Sequence, residues 1–130
     1  MSEDQFPHDH FAQLGYDSVH AGEGRWNGGA ILSRVGIENP FKGFADGGEE
    51  DPEARIISAT CAGVSVCSVY VPNGREVDHD HYRYKLLWMA RLKGHLEATC
   101  DPNDSLLVGG DSAENGGGLE GVCQRLLVVW

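Results

Sequence analysis

Apolar and polar positions alternate most clearly between residues 55 and 71, where Ile57, Ala59, Cys61, Val64, Val66 and Val69 are interleaved with serine and threonine around a central Ala62-Gly63. A two-residue period rich in β-branched side chains predicts half-buried strands over 55–61 and 64–71, joined as a hairpin. The second strand then meets Tyr70-Val71-Pro72-Asn73-Gly74. Proline cannot donate to a strand ladder and glycine permits a positive φ, so the chain must stop and turn there. Tyr70 therefore stands at a sheet rim, where its hydroxyl can reach a ligand. The same residues also read as a Pro-Asn-Gly turn beside an amphipathic tyrosine.

Other stretches carry shorter signals. Phe11, Leu14 and Ala12 suit the inward face of a short helix ended by Gly15, with a strand over 16–20 behind it. Gly22-Glu23-Gly24-Arg25 is a turn, since its glycines lack the spacing of a dinucleotide fingerprint. Residues 28–33 are small and apolar, as in a central strand packed on both faces. Residues 36–53 are rich in glycine, proline and acid, which predicts loop. The period changes over 78–98, where Tyr82, Leu86, Met89, Ala90 and Leu96 fall near one helical face. Arg83, Lys85, Arg91 and Lys93 then face water or a polyanion, Asp78 or Asp80 caps the helix, and Gly94 weakens its last turns. Residues 105–108 form one more buried strand, ending in Gly109-Gly110-Asp111. Beyond it come a polar, glycine-rich loop over 112–118 and an apolar terminus over 126–130 with no partner signal.

Composition narrows the classes. A chain of 130 residues, 41% hydrophobic and 23% charged, has room for one core and one domain. Its net charge of -10 argues against a broad electrostatic footprint for nucleic acid. A metal-dependent nuclease stays compatible, because acidic ligands hold a cation that meets the phosphate. Cys61, Cys67, Cys100 and Cys123 form no CxxC pair and are expected as free thiols. His8/His10 and His79/His81 have a spacing more typical of solvated loops than of zinc sites. No apolar run approaches the roughly 18 residues of a membrane helix, and residues 1–10 are acidic and polar, unlike a signal peptide. A soluble, cytoplasmic protein is the expectation.

Four segments, in order, carry a family resemblance: Leu14-Gly15-Tyr16; Arg25-Trp26-Asn27-Gly28-Gly29-Ala30-Ile31-Leu32-Ser33-Arg34; Asp51-Pro52-Glu53-Ala54-Arg55-Ile56-Ile57; and Val69-Tyr70-Val71-Pro72-Asn73-Gly74. Tyr82-Arg83-Tyr84-Lys85-Leu86-Leu87-Trp88 follows as the next helix. Together they resemble the exonuclease III (exodeoxyribonuclease III/AP endonuclease) group of the endonuclease/exonuclease/phosphatase superfamily, over residues 6–111. The resemblance implies an α+β fold, a four-layer sandwich of two mixed sheets flanked by helices. It also implies hydrolysis of DNA phosphodiesters with Mg²⁺ or Mn²⁺, at 3′ ends and beside abasic sites, in base-excision repair. By position Tyr70 is similar to the family's active-site tyrosine. Asp111 is similar to the aspartate that handles the attacking water, and is the candidate metal ligand. Asn73 is the candidate phosphate contact, with Arg55 and Asn27 as further DNA-binding candidates.

The chain also departs from the family pattern. After Asp111 the family continues with an aromatic residue and an asparagine, whereas here Ser112 and Ala113 follow, and alanine has no side-chain atom to orient water or ligate an ion. The metal-holding asparagine and glutamate of the family's first strands, and its closing aspartate-histidine pair, have no counterpart. The expectation is therefore an interior fragment, with a partial domain over 1–111 incomplete at both ends, a divergent tail over 112–130, and impaired catalysis. Two alternatives stay open: a non-catalytic remnant or interaction fragment, and a phosphodiesterase of the same superfamily acting on a non-DNA substrate such as a phosphoinositide.

Overall fold

A computed structural model describes residues 3–23, 27–45, 47–49, 53–72, 80–112 and 125–129. A single 3₁₀ turn, Glu3–Gln5, leads into α1 (His8–Gln13), followed by β1 (Asp17–Glu23), β2 (Asn27–Ser33), β3 (Glu38–Lys42), β4 (Ile56–Cys61) and β5 (Val64–Val71). The long helix α2 (Asp80–Thr99), β6 (Leu106–Ser112) and β7 (Arg125–Val129) complete the order. Two sheets result, β1-β2-β7 and β3-β4-β5-β6. Each is mixed: β1/β2 and β3/β4/β5 pair antiparallel, while β7 joins β2 and β6 joins β5 in parallel.

Alternation along the strands assigns the layers. Ile31 of β2 meets Ile57, Ala59, Cys61 and Val66 between the sheets. The opposite side of β4 and β5, with Ile56, Cys67, Val69 and Val71, packs on Trp88 and Leu92 of α2. The outward side of β2, with Ala30 and Leu32, packs on Phe6 and on half-buried Phe11 and Tyr16 of the N-terminal segment. Helix, sheet, sheet and helix thus form four layers with three apolar interfaces between them, in keeping with the α+β sandwich expected.

The hairpin over 55–71 forms in the expected register, from Ile56 opposite Val69 to Cys61 opposite Val64. Its two turn residues, Ala62 and Gly63, both take positive φ, at 49° and 80°. That is the pattern of a primed turn, whose twist matches the twist of the strands it joins. Several other expectations need correction. Residues 105–108, expected as a buried strand, open β6 (Leu106–Ser112) with Leu106, Leu107 and Val108 40–45% exposed, and Gly22-Glu23, expected in a turn, continue β1. Residues 38–42, expected as loop, form the edge strand β3, which carries Pro40, a register shift and a positive φ at Asn39. A proline is tolerated at an edge because its missing N–H faces no neighbour, and all five residues are exposed, so no alternation marked the strand. In α2 the buried stripe is Trp88, Leu92 and His95, with Tyr84 and Leu96 beside it, whereas Leu86 and Met89 are 53% and 43% exposed. Steps of four, four and three residues from Tyr84 describe one helical face as well as the expected set does, and the largest ring took it. In α1, Leu14 is 52% exposed and only Phe11 turns toward the core.

Residues 125–129 extend the first sheet as β7, although nothing in their sequence indicated a partner. Cys61, Cys67 and Cys100 are free thiols, the first two buried. Burial pushes the Cys67 thiol up to about 12, with neighbouring Cys100 adding to the shift. Cys67 is therefore an inert core residue rather than a nucleophile or thiolate ligand. Among the described residues no helix is long and apolar enough to cross a membrane.

Candidate functional site

Tyr70 is the penultimate residue of β5, half-buried, with Val71 and Pro72 buried after it. The parallel pairing of β5 with β6 sets Asp111 directly beside it in register, one step beyond the Val69–Gly110 pair. The two residues are far apart in sequence and adjacent in space because α2 carries the chain back to begin β6 at the same end as β5. Both therefore lie at the carboxyl ends of neighbouring parallel strands, the place where open α/β sheets present their ligand sites.

Gly110 makes this approach possible. Its φ is +145°, and a Cβ built on it would lie 1.8 Å from the Val69 carbonyl oxygen and under 3.0 Å from two more backbone atoms of Val69. Only glycine lets β6 come this close to β5 immediately before Asp111.

Arg55, the residue before β4, is brought beneath Tyr70 and is only 7% exposed. The Tyr70 N–H donates to the Arg55 carbonyl at 2.8 Å, and the Arg55 Nη1 donates back to the Tyr70 carbonyl at 3.2 Å. The guanidinium carbon also lies 4.7 Å from the Tyr70 ring centroid and 6.0 Å from that of Tyr84. Its Nε pairs with the Glu53 carboxylate, whose Oε2 accepts a further hydrogen bond from the Tyr84 hydroxyl at 3.3 Å. A buried cation is tolerable only with such partners. A cation over a partly desolvated ring contributes on the order of 1 kcal/mol, and a hydrogen bond from a charged donor roughly 1.5–3 kcal/mol. Glu53 and Tyr84 were not singled out from the sequence as site residues. Their signal was their place within the two segments that flank Tyr70 in the family resemblance.

The remaining candidates are placed less closely. Ser33, at the end of β2, hydrogen-bonds the Cys61 thiol at the end of β4. That contact leaves Asn27 and Arg55, at the starts of the same strands, toward the other end of the sandwich, the Tyr70 end. Asn73 lies outside the described residues, as does Ala113.

Metal binding has to be judged on the donors present. Among the described residues no three His, Cys, Asp or Glu side chains gather in a way that would hold an ion. The Glu53 carboxylate already serves Arg55 and Tyr84. The described donors thus do not fit a cation cradle. Among the described residues, a cleft of about 300 Å³ opens beside His95, Cys67 and Cys100, and one of about 490 Å³ beside His8, Ser18 and Lys42.

No protein-family model matches the chain. Solved structures do. An AP endonuclease from Archaeoglobus fulgidus superposes with a TM-score of 0.79 at 35% identity, covering 85% of this chain and 42% of that one. The 3′-5′ exonuclease NExo from Neisseria meningitidis gives 0.78 at 31% identity, over 85% of this chain and 43% of that one. The 3′ phosphatase NExo from Neisseria bound to a product DNA hairpin gives 0.75 at 31% identity, with the same coverage. The 130 residues thus span less than half the length of the relatives they match.

Proposed function

From this kinship with exonuclease III-type proteins of the endonuclease/exonuclease/phosphatase superfamily, we propose that the chain carries the rim of a DNA phosphodiester-hydrolysing site, centred on Tyr70 and Asp111. The observation that carries this reading is their adjacency in register at the ends of β5 and β6. Hydrolysis of a phosphodiester asks for an activated water and for donors where negative charge develops. The Tyr70 hydroxyl serves as a donor to the scissile phosphate. Asp111 orients the attacking water. Asn73 and Asn27 serve as phosphate contacts.

The proposed substrates are DNA 3′ ends and abasic sites, and the proposed compartment is the cytoplasm. The hairpin held by one relative favours DNA over a lipid or small-molecule phosphodiester. Turnover by this chain alone is proposed to be weak. Ala113 stands where the family pattern has asparagine, and the Glu53 carboxylate is engaged by Arg55. A non-catalytic, DNA-binding role is the second reading, supported by the same two residues.

The test is a duplex with one central abasic site, titrated with the protein in Mg²⁺, Mn²⁺ or chelator. Expected are saturable binding, trace metal-dependent cleavage, and a loss of about fivefold in affinity in Tyr70→Phe, the worth of one hydrogen bond near 1 kcal/mol. Efficient multiple turnover would overturn the impairment. Failure to bind any duplex would overturn the DNA reading.

A further inference from the structure

We propose that Arg55 is a positioning residue that fixes the Tyr70 ring, and through it the Tyr70 hydroxyl, at the end of β5; its importance for DNA rests on the reading of Tyr70 as the site rim. Three contacts converge on one residue. The Arg55 carbonyl accepts the Tyr70 N–H, the guanidinium donates to the Tyr70 carbonyl, and its carbon lies over the Tyr70 ring at 4.7 Å. A residue held at both backbone groups and at its ring has little freedom in χ1. That freedom would otherwise be large, since β5 ends at the next residue and Pro72 donates no ladder hydrogen bond.

The guanidinium itself is not poised for a phosphate. It is 7% exposed, and its Nε is paired with Glu53. Glu53 also offsets the positive charge, so the pair presents the tyrosine rather than a cation to the rim. Tyr84, on α2, closes the arrangement by donating to the same carboxylate. The helix following β5 is thereby tied to the tyrosine that ends it.

Arginine suits this role better than lysine. Its planar fork stacks on a ring and donates sideways at the same time, whereas an ammonium is a point charge. Arg55→Met keeps the length of the side chain and removes the cation and the donors. Glu53 retains 29% side-chain exposure and can rehydrate when its partner is lost.

The protein is labelled with ¹³C in its tyrosine rings, and the Tyr70 signal is assigned by its disappearance in Tyr70→Phe. In the free protein Arg55→Met is expected to shift and broaden that signal while leaving Tyr16 unmoved. Tyr16 lies 4.5 Å beneath the guanidinium of Arg34, so Arg34→Met is expected to do the converse. Affinity for the abasic duplex is then measured across the cycle of Arg55→Met, Tyr70→Phe and the double variant. Each single change is expected to weaken binding about fivefold, and the double variant no further, because both remove one correctly placed hydroxyl.

An unmoved Tyr70 signal in Arg55→Met would overturn the proposal, and so would multiplying effects on binding. Should Arg55→Met fail to fold, Arg55→Lys enters the same measurements, with an intermediate shift expected and no shift overturning it. If the wild type binds no duplex, the DNA reading fails while the ring signal still decides whether Arg55 positions Tyr70.

Discussion

Gly110→Ala is expected to lose about 3 kcal/mol of stability in urea unfolding and to abolish duplex binding at concentrations where the wild type saturates. A new Cβ would sit 1.8 Å from the Val69 carbonyl oxygen, far inside contact distance, and every close atom is backbone. No rotamer change relieves such an overlap, so β6 must move away from β5. The first casualty is the pairing of Tyr70 with Asp111, the next step of the ladder. Gly15→Ala separates the two sources of the loss. Gly15 also has a positive φ, +89°, but a Cβ there meets nothing within 4 Å. It should therefore cost only the left-handed conformation, about 1–2 kcal/mol, and leave binding intact. Equal losses at the two glycines would mean that close packing of β6 on β5 is not what fixes the site.

Trp88 is the second point of large effect. It is 1% exposed, packs on Cys67, Val69 and Val71 beneath the Tyr70 end of β5, and meets the Phe44 ring edge-on at 5.3 Å. Trp88→Ala should cost about 3–5 kcal/mol, the usual range for emptying an aromatic site in a core. Trp88→Phe should cost much less, about 1 kcal/mol, for a reason specific to this site. The indole N–H is buried with no hydrogen-bond partner among the described residues, so removing it relieves a desolvation penalty that partly offsets the lost volume. Thermal unfolding of the two variants checks both the core and the orphan donor. A Phe variant as damaged as the Ala variant would contradict the account.

These effects show where sequence was a good guide. The 55–71 hairpin could be read because strong alternation and a turn pair lie within a few residues of each other, so local chemistry decides the outcome. Tyr70 at its end followed from Pro72 alone. The β3 strand could not be read, since an exposed edge bearing Pro40 satisfies none of the patterns that mark strands. The stripe of α2 was misplaced because Leu86 and Met89 are as apolar as the residues that are buried; the neighbouring sheet, not the helix, chose between them. Parallel pairings are harder still. Neither the seat of β7 beside β2 nor the contact of Tyr70 with Asp111 leaves a local trace. The cluster of Glu53, Arg55 and Tyr84 is of the same kind: each residue reads as an ordinary surface charge or aromatic until the fold brings Glu53 and Tyr84 around the guanidinium that stacks on Tyr70.

The exposed apolar residues Leu106, Leu107 and Val108 of β6, between 40% and 45% exposed, give the edge beside the site an unusual character. Parallel strands are normally covered on both faces. Among the described residues β5 is the strand that pairs with β6, so the geometry at Asp111 depends heavily on β5, and hence on Gly110.

The central claim is that DNA meets this protein at the ends of β5 and β6. Amide chemical-shift mapping during titration with the abasic duplex tests it most directly, since it needs no turnover. The largest changes are expected on Tyr70, Val71, Gly110 and Asp111, and they should shrink in Tyr70→Phe. Changes confined to the basic positions of α2, such as Arg83 and Lys85, with the strand ends silent, would contradict it.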